Sequence, residues 1–238
     1  MRGNLLRAVS HDIRTPLTSI VGGIDTLLES GEQLSPELRT ELLQNIRDES
    51  GWLIGIVENL LSVTRVSGAG SIKKELEAGE EVLSAAAMKI GRRYPDIQIS
   101  VRAPQELLFV PMDAILIEQV LINLMENAIQ HGVTTSRLEI HLSRRDGSAV
   151  FEVADNGQGI AKEAFSHLFE GGFTHINTDS GSDVRRNMGI GLSVCQTIIQ
   201  AHGGTIEAEN RALGGAIFRF TIPLEGEQYD DPGKDPRH

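Results

Sequence analysis

The chain has 238 residues, of which 40% are hydrophobic and 23% charged, and its formal net charge is −11. This length suits one large domain or two modest ones, and the composition is ordinary for a globular protein. The acidic balance argues against direct binding to nucleic acid, because phosphate backbones are bound by basic surfaces.

Cysteine usage and hydropathy point to the cytoplasm. The single cysteine, Cys195, cannot form an intrachain disulfide, which fits a reducing compartment. No apolar run reaches the length that spans a bilayer, and no signal peptide is visible. Because the chain begins directly in an amphipathic segment, we expect it to be a piece of a longer protein.

Two long amphipathic helices are predicted first. Residues 4–29 carry apolar side chains at intervals of three and four, and a second such stripe continues to about residue 66. Ser35 followed by Pro36 is typical of a helix start. Two helices joined by a short loop form an antiparallel hairpin. One hairpin cannot cover stripes this long, so we expect two copies to pair in a homodimeric four-helix bundle.

A mixed helix and strand pattern follows a linker. Residues 67–71 are serine, glycine and alanine, and we assign residues 1–66 to a first domain, 72–224 to a second and 225–238 to a disordered tail. The alternation of elements predicts an α+β sandwich. The predicted helices cover 79–92, 112–130 and 189–202, and the predicted strands 97–103, 137–144, 149–154, 205–209 and 216–222, with a hairpin turn at Asp146-Gly147.

One histidine on the first helix lies away from its apolar stripe. His11 is roughly 200° around the helix from both Val9 and Ile13, so we expect it on the outer face. Thr15, one turn further on, shares that face. An exposed imidazole can act as a nucleophile near neutral pH, although a lone surface histidine usually has no function. We expect Pro16, which has no backbone donor, to bend the helix nearby.

Three motifs beyond the linker indicate a binding site when taken together, although each one alone is a weak signal. Asn123 and Asn127 are four residues apart on an apolar helix, so they share a face, and a carboxamide oxygen can ligate Mg²⁺. In Asp155-Asn156-Gly157-Gln158-Gly159-Ile160, a carboxylate at a strand end can accept from an exocyclic amine. In Gly189-Ile190-Gly191-Leu192, backbone N–H groups at a helix start can meet phosphates. Helix-surface asparagines, a simple turn and a glycine-rich helix start are the plainer alternatives.

These strings resemble known family motifs. Ser10–Leu17 (SHDIRTPL) is similar to the phosphoacceptor box of histidine kinases. The three later motifs, in this order and spacing, resemble the N, G1 and G2 boxes of the ATPase fold shared by histidine kinases, gyrase, Hsp90 and MutL, and Phe169–Phe173 resembles the F box. The resemblance covers about residues 5–224. It implies an all-α hairpin that forms a dimeric four-helix bundle, followed by an α+β two-layer sandwich that binds ATP.

The resemblance implies a role for each matching residue. His11 would accept the γ-phosphoryl group of ATP, Asp12 would act as general base or orient the imidazole, and Thr15 would orient water for dephosphorylation of a partner. Asn127 would bind Mg²⁺ with support from Asn123. His131 would contact phosphate, and Asp155 would accept a hydrogen bond from adenine in a pocket shaped by Gly157 and Gly159. The residues implied at the phosphates are Gly189, Gly191 and Leu192, and residues 174–188 would form the lid.

Some positions depart from the family pattern or stay open. Asn187 stands where the G2 box usually opens with glycine, and Gly215–Phe218 lacks a threonine common in relatives. For Arg14, Arg185 and Arg186, a solvated surface charge and a functional contact both remain open. The stretches Val9–Gly22, Val110–Gly132 and Ala201–Pro223 resemble potassium-responsive sensor kinases in particular.

The implied function is autophosphorylation of His11 and transfer to an aspartate of a cognate response regulator. The chain would then be the cytoplasmic catalytic part of a sensor in the cell membrane, and it would also act as a phosphatase of that regulator. One rival is an ATP-driven conformational machine of the gyrase or Hsp90 type, but those relatives carry glutamate at the position of Asn123 and lack the hairpin. The other rival is a non-catalytic dimerisation scaffold, against which the intact nucleotide motifs count.

Overall fold

The computed structural model describes residues 2–30, 33–67, 72–169 and 190–224, with the backbone alone at 2–12, 67 and 190. It divides the chain into two compact units, Met1–Leu61 and Ser62–His238. The domain limits at 66 and 72 stay a prediction. Within the described ranges, no helix combines the length and apolar character needed to cross a membrane.

The first unit is built from two long helices, as predicted. Helix α1 spans Arg2–Ser30 and continues through Pro16, and helix α2 spans Pro36–Ser67. The Ser35 hydroxyl accepts a hydrogen bond from the Leu38 amide at 3.2 Å, which is the cap expected at this helix start.

The two helices of this unit pack against each other. A Cβ placed on Gly23 of α1 would lie 3.1 Å from Ile46 Cγ1 of α2, so the absence of a side chain there permits close approach. Many large apolar side chains on the two helices are nevertheless exposed in the single chain: Leu17, Val21, Ile24, Leu28, Leu38, Leu43, Ile54, Val57, Leu60 and Leu61.

The second unit contains a five-stranded mixed sheet and a separate two-stranded sheet. The strand order in the larger sheet is β2-β4-β5-β7-β6, with β2 parallel to β4 and the other neighbours antiparallel. Strands β1 and β3 pair antiparallel. The elements are β1 Glu75–Ala78, α3 Gly79–Arg93, β2 Gln98–Arg102, β3 Phe109–Met112, α4 Ala114–His131, β4 Arg137–Arg145, β5 Ser148–Asp155, a 3₁₀ helix Lys162–His167, α5 Ile190–Ala201, β6 Ile206–Asn210 and β7 Ala216–Pro223.

Helices α3, α4 and α5 bury their apolar faces against one face of the larger sheet. Strand β7 shows the alternation that this arrangement requires, because every second residue from Ala216 to Ile222 is buried. The rings of Phe151 and Phe220 stack with centroids 4.8 Å apart. The predicted α+β two-layer sandwich is confirmed.

The other face of the sheet is charged. Arg219 donates to Glu152 at 2.6 Å, to Glu207 at 2.8 Å and to Glu209 at 3.3 Å. Burial raises the pKa of Glu152, but hydrogen bonds from Arg219 and His141 outweigh it and hold the pKa below its ordinary value. The main apolar cluster lies on the helix-covered face.

The predicted elements are present, with one wrong boundary and three short omissions. The predicted turn at Asp146-Gly147 is confirmed, and both residues have positive φ, at 50° and 75°, as a tight hairpin requires. Helix α4 does not begin at 112, because Met112 pairs with Glu75 in the small sheet. Asp113 caps the helix instead, accepting from two backbone amides at 3.1 and 3.2 Å. Strands β1 and β3 and the 3₁₀ helix were not predicted.

We predict that Phe151→Ala lowers the free energy of unfolding by about 3–5 kcal/mol, because a fully buried aromatic ring leaves a cavity. Phe109→Ala is the matched control: its ring is 53% exposed, and its loss should cost no more than about 1 kcal/mol. Urea unfolding of both variants followed by circular dichroism measures the difference. Equal decreases in the free energy of unfolding of the two variants would show that the stacked pair of Phe151 and Phe220 is not central to the core.

Candidate functional site

An open cleft lies where α4 ends, beside the loop after β5 and the start of β7. Of the predicted nucleotide ligands, Asn127, His131, Asp155 and Gly159 line it together. Ala128, Gly132, Ile160, Ala216 and Phe218 complete the lining.

The carboxylate of Asp155 is the most constrained polar group in the cleft. It is 3% exposed, and its two oxygens accept from the backbone amides of Gly157 at 2.7 Å and Ala216 at 3.2 Å. A carboxylate offers roughly four lone-pair sites, so the two bonds leave acceptor capacity at the cleft. The arrangement can therefore receive a hydrogen-bond donor from a ligand.

Glycines let the backbone approach closely around this carboxylate. A Cβ on Gly157 would lie 2.6 Å from both the Gly132 carbonyl oxygen and the Thr135 hydroxyl. Gly159 has φ +80°, and Gly215 has φ +86° with a Cβ position that would overlap the Asp155 carbonyl oxygen. A side chain at any of these three glycines would displace the loop or strain it.

The loop after β5 is joined to the end of α4. Gln158 donates from its backbone amide to the Gly132 carbonyl at 3.1 Å and from its side chain to the His131 carbonyl at 3.2 Å. Thr135 donates to the Ala128 carbonyl at 2.8 Å. These bonds hold the helix that carries Asn127 in a fixed position relative to the loop.

Two side chains of α4 face the cleft with different chemistry. Asn127 is half-buried and offers a carboxamide oxygen, a hard donor suited to Mg²⁺. Partial desolvation by neighbouring groups lowers the pKa of His131 below its ordinary value, although the residue remains exposed. A phosphate contact by this residue stays a prediction.

Asn123 is buried away from the cleft lining, between α4 and α5. Its side-chain oxygen accepts from Gln119 at 3.1 Å, and its amide is hydrogen-bonded to the thiol of Cys195. Burial raises the pKa of that thiol to about 12, so the cysteine is unreactive in the folded chain. Asn123 thus connects the two helices, and its support of Mg²⁺ stays a prediction.

The remaining predicted residues are only partly described. Thr15 and Arg14 are exposed on α1. In the first turn of α5, Gly191 is half-buried. The Leu192 side chain packs into the core, so at this residue only the backbone could contact a phosphate. Outside the described residues lie the side chains of His11 and Asp12, Gly189, the predicted lid 174–188 with Arg185, Arg186 and Asn187, and F-box residues 170–173.

Sequence reasoning missed the residues that support the site from β6, β7 and the turn between them. Ala216 and Phe218 line the cleft, and Asn210 and Arg211 hold the loop after β5. A usable signal was present, since two consecutive glycines directly before a strand, Gly214 and Gly215, indicate close backbone approach.

Two protein-family models match the chain. The His Kinase A (phospho-acceptor) domain model matches residues 1–68. The model described as Histidine kinase-, DNA gyrase B-, and HSP90-like ATPase matches residues 112–226, which include the whole cleft. Each of the two motif sets therefore falls within a matching model.

Individual relatives agree with the family models. Sensor protein KdpD of Clostridium acetobutylicum is 43% identical over 226 residues, covering 94% of this chain and 25% of KdpD. Histidine kinase AdeS of Acinetobacter baumannii has a TM-score of 0.65 at 25% identity, covering 91% of this chain and 98% of AdeS. A complex of histidine kinase ThkA with response regulator protein TrrA has a TM-score of 0.68 at 26% identity, covering 94% of this chain and 62% of that chain.

Proposed function

We propose that this chain, which belongs to the sensor histidine kinases, binds Mg²⁺-ATP in the cleft beside α4 and phosphorylates its own His11. The observation that carries the proposal is the buried Asp155 carboxylate, which lines the cleft and accepts two backbone hydrogen bonds, fewer than its lone pairs allow. An ATP-driven machine of the gyrase or Hsp90 type would use the same cleft. The phospho-acceptor domain match over residues 1–68 favours the kinase.

The cleft suits an adenine nucleotide. Asp155 would accept a hydrogen bond from the exocyclic amine of the base, while Gly159, Ile160 and Phe218 would form the wall around it. Recognition by a buried acceptor is selective, because a base without the matching donor leaves the carboxylate unpaired.

Asn127 is the described side chain best suited to hold the metal. Its carboxamide would supply an oxygen ligand, and the metal would supply positive charge that offsets the charge of the phosphates. Among the described residues, no group of three or more histidine, cysteine or acidic side chains is placed to hold a metal ion. Phosphates and water would therefore supply the remaining oxygen ligands, which is the coordination that Mg²⁺ usually has in nucleotide sites.

The proposed reaction is an in-line phosphoryl transfer. A ring nitrogen of His11 forms a bond to the γ-phosphorus as the bond to the bridging oxygen breaks, and ADP leaves with that electron pair. The imidazole proton passes to a base, for which Asp12 is the candidate. The phosphoryl group then moves to an aspartate carboxylate of a response regulator as the phosphorus–nitrogen bond breaks, and the ring nitrogen takes back a proton, which restores the neutral histidine.

Regulator binding and the reverse activity are proposed on the first helix. The regulator would dock beside His11 and, by similarity to KdpD, would be KdpE-like. Thr15 is exposed on α1 and would orient water for hydrolysis of the regulator's aspartyl phosphate. The chain spans 25% of the length of KdpD, and we propose that it is the cytoplasmic part of a membrane-bound sensor responding to potassium.

A homodimer through residues 1–66 completes the proposal, with 67–71 as a linker and 72–224 as the nucleotide domain. The exposed apolar side chains of α1 and α2 support it, because a large exposed apolar surface normally marks an interface. Pairing two hairpins would bury that surface in a four-helix bundle.

We predict that His11→Gln abolishes phosphorylation and leaves ATP affinity unchanged, because His11 lies outside the nucleotide motifs. Label incorporation from γ-labelled ATP and calorimetric ATP affinity are measured on the same protein. His167→Gln, which changes an exposed histidine of the 3₁₀ helix, is the control and should retain labelling. Labelling of the His11→Gln variant would exclude His11 as the acceptor.

We predict that Asp155→Asn weakens ATP binding about tenfold or more, since a charge-assisted hydrogen bond is worth about 1.5–3 kcal/mol. The variant should also lose stability. The side-chain nitrogen of asparagine is a donor, whereas both oxygens of Asp155 accept from the backbone amides of Gly157 and Ala216. Affinity is therefore measured by calorimetry at a temperature where circular dichroism shows the variant folded. Unchanged affinity would remove Asp155 from adenine recognition.

We predict that the chain sediments at twice its mass of 25.9 kDa. Ile54→Lys with Leu61→Lys places two charges on one exposed apolar face of α2 and should give a monomer at micromolar concentration. Met88→Lys, at a residue of α3 that is 60% exposed, is the matched control and should stay dimeric. A monomeric parent chain, or a dimeric double variant, would contradict the bundle.

A further inference from the structure

Asn210, the last residue of β6, holds one residue of the cleft wall by both of its polar atoms. Its side-chain oxygen accepts from the Ile160 amide at 2.7 Å, and its side-chain nitrogen donates to the Ile160 carbonyl at 2.8 Å. Ile160 lies in the loop after β5, where no strand pairs with it. The carboxamide therefore supplies both bonds that a neighbouring strand would otherwise make.

The adjacent residue holds the other end of the same loop. Arg211 donates to the Asp155 carbonyl at 2.9 Å and to the Glu139 carboxylate at 3.0 Å. Its own amide donates to the Gly215 carbonyl at 3.0 Å, which closes the turn before β7. Arg211 thus holds the first residue of the 155–160 loop, and Asn210 holds its last residue.

Asn210 acts on the cleft without lining it. Among the described residues, the lining includes Gly159 and Ile160 but not Asn210. A Cβ on Gly159 would lie 2.7 Å from the Asn210 side-chain oxygen, so the carboxamide also lies directly behind that glycine. This side chain therefore contacts the Gly159–Ile160 part of the cleft wall from outside the lining.

We propose that Asn210 is a positioning residue for base recognition, which sets the spacing between the Gly159–Ile160 wall and the Asp155 carboxylate and thereby the preference for adenine over guanine. This inference rests on the proposed function. A wall displaced by about 1 Å loosens the hydrogen-bond geometry at the base, while contacts to the phosphates are retained. We call the two hydrogen bonds between Asn210 and Ile160 the clamp. Loss of the clamp should therefore change base selectivity more than the rate of phosphoryl transfer.

The test uses Asn210→Asp and Asn210→Ala in the full chain. Aspartate has almost the shape of asparagine, but it lacks the donor and presents an oxygen to the Ile160 carbonyl. Both variants should raise the KM for ATP in autophosphorylation roughly tenfold, keep kcat within about twofold, and narrow the preference for ATP over GTP roughly fivefold or more. Asn45→Asp, at an exposed position of α2, is the control and should change none of these values.

If Asn210→Asp has the wild-type KM for ATP and the wild-type preference for ATP over GTP, the inference is overturned. The Asn210 side chain would then only fill space. An equal loss for ATP and GTP would overturn it as well, since that result indicates general destabilisation. If the aspartate variant does not fold, Asn210→Ser, whose hydroxyl is too short to make both bonds, replaces it. A parent chain that incorporates no label from γ-labelled ATP would reject the proposed function itself, whereas a labelled parent chain with wild-type behaviour of Asn210→Asp would reject the role of Asn210 alone.

Discussion

A buried carboxylate at the end of β5 determines how the surrounding backbone is arranged. Asp155 is 3% exposed, and a buried charge is costly unless hydrogen bonds compensate it. The compensating donors are the amides of Gly157 and Ala216, which must come within hydrogen-bond distance from two different segments. Close approach of that kind requires glycine at 157 and 215. The same arrangement leaves the carboxylate able to accept from a ligand.

The nucleotide domain holds this loop from three directions. Gln158 joins it to the end of α4, Asn210 fixes Ile160, and Arg211 fixes the Asp155 carbonyl. Because these partners come from a helix and from the β6–β7 turn, the loop is held by rigid elements. A ligand site on such a loop is organised before the ligand arrives, which lowers the entropic cost of binding.

Strong periodicity and local motifs explain what could be predicted from the sequence. The two long helices and the hairpin at Asp146-Gly147 have local signals. The motif resemblance pointed to Asp155, Asn127 and His131, which line one cleft, and their ligand roles stay predictions. Strands β1 and β3 have four residues each, too few for a period-two pattern, and their pairing joins distant segments. The clamp of Ile160 by a residue fifty positions away has no local signature at all.

The central claim is that ATP bound in this cleft serves to phosphorylate a histidine, rather than to drive a conformational cycle. The most direct measurement is the chemical stability of label on the intact chain after incubation with γ-labelled ATP and Mg²⁺. The account predicts label that is lost in acid and retained in base, as expected for a phosphorus–nitrogen bond. ATP hydrolysis without any labelling, or label that survives acid, would contradict it.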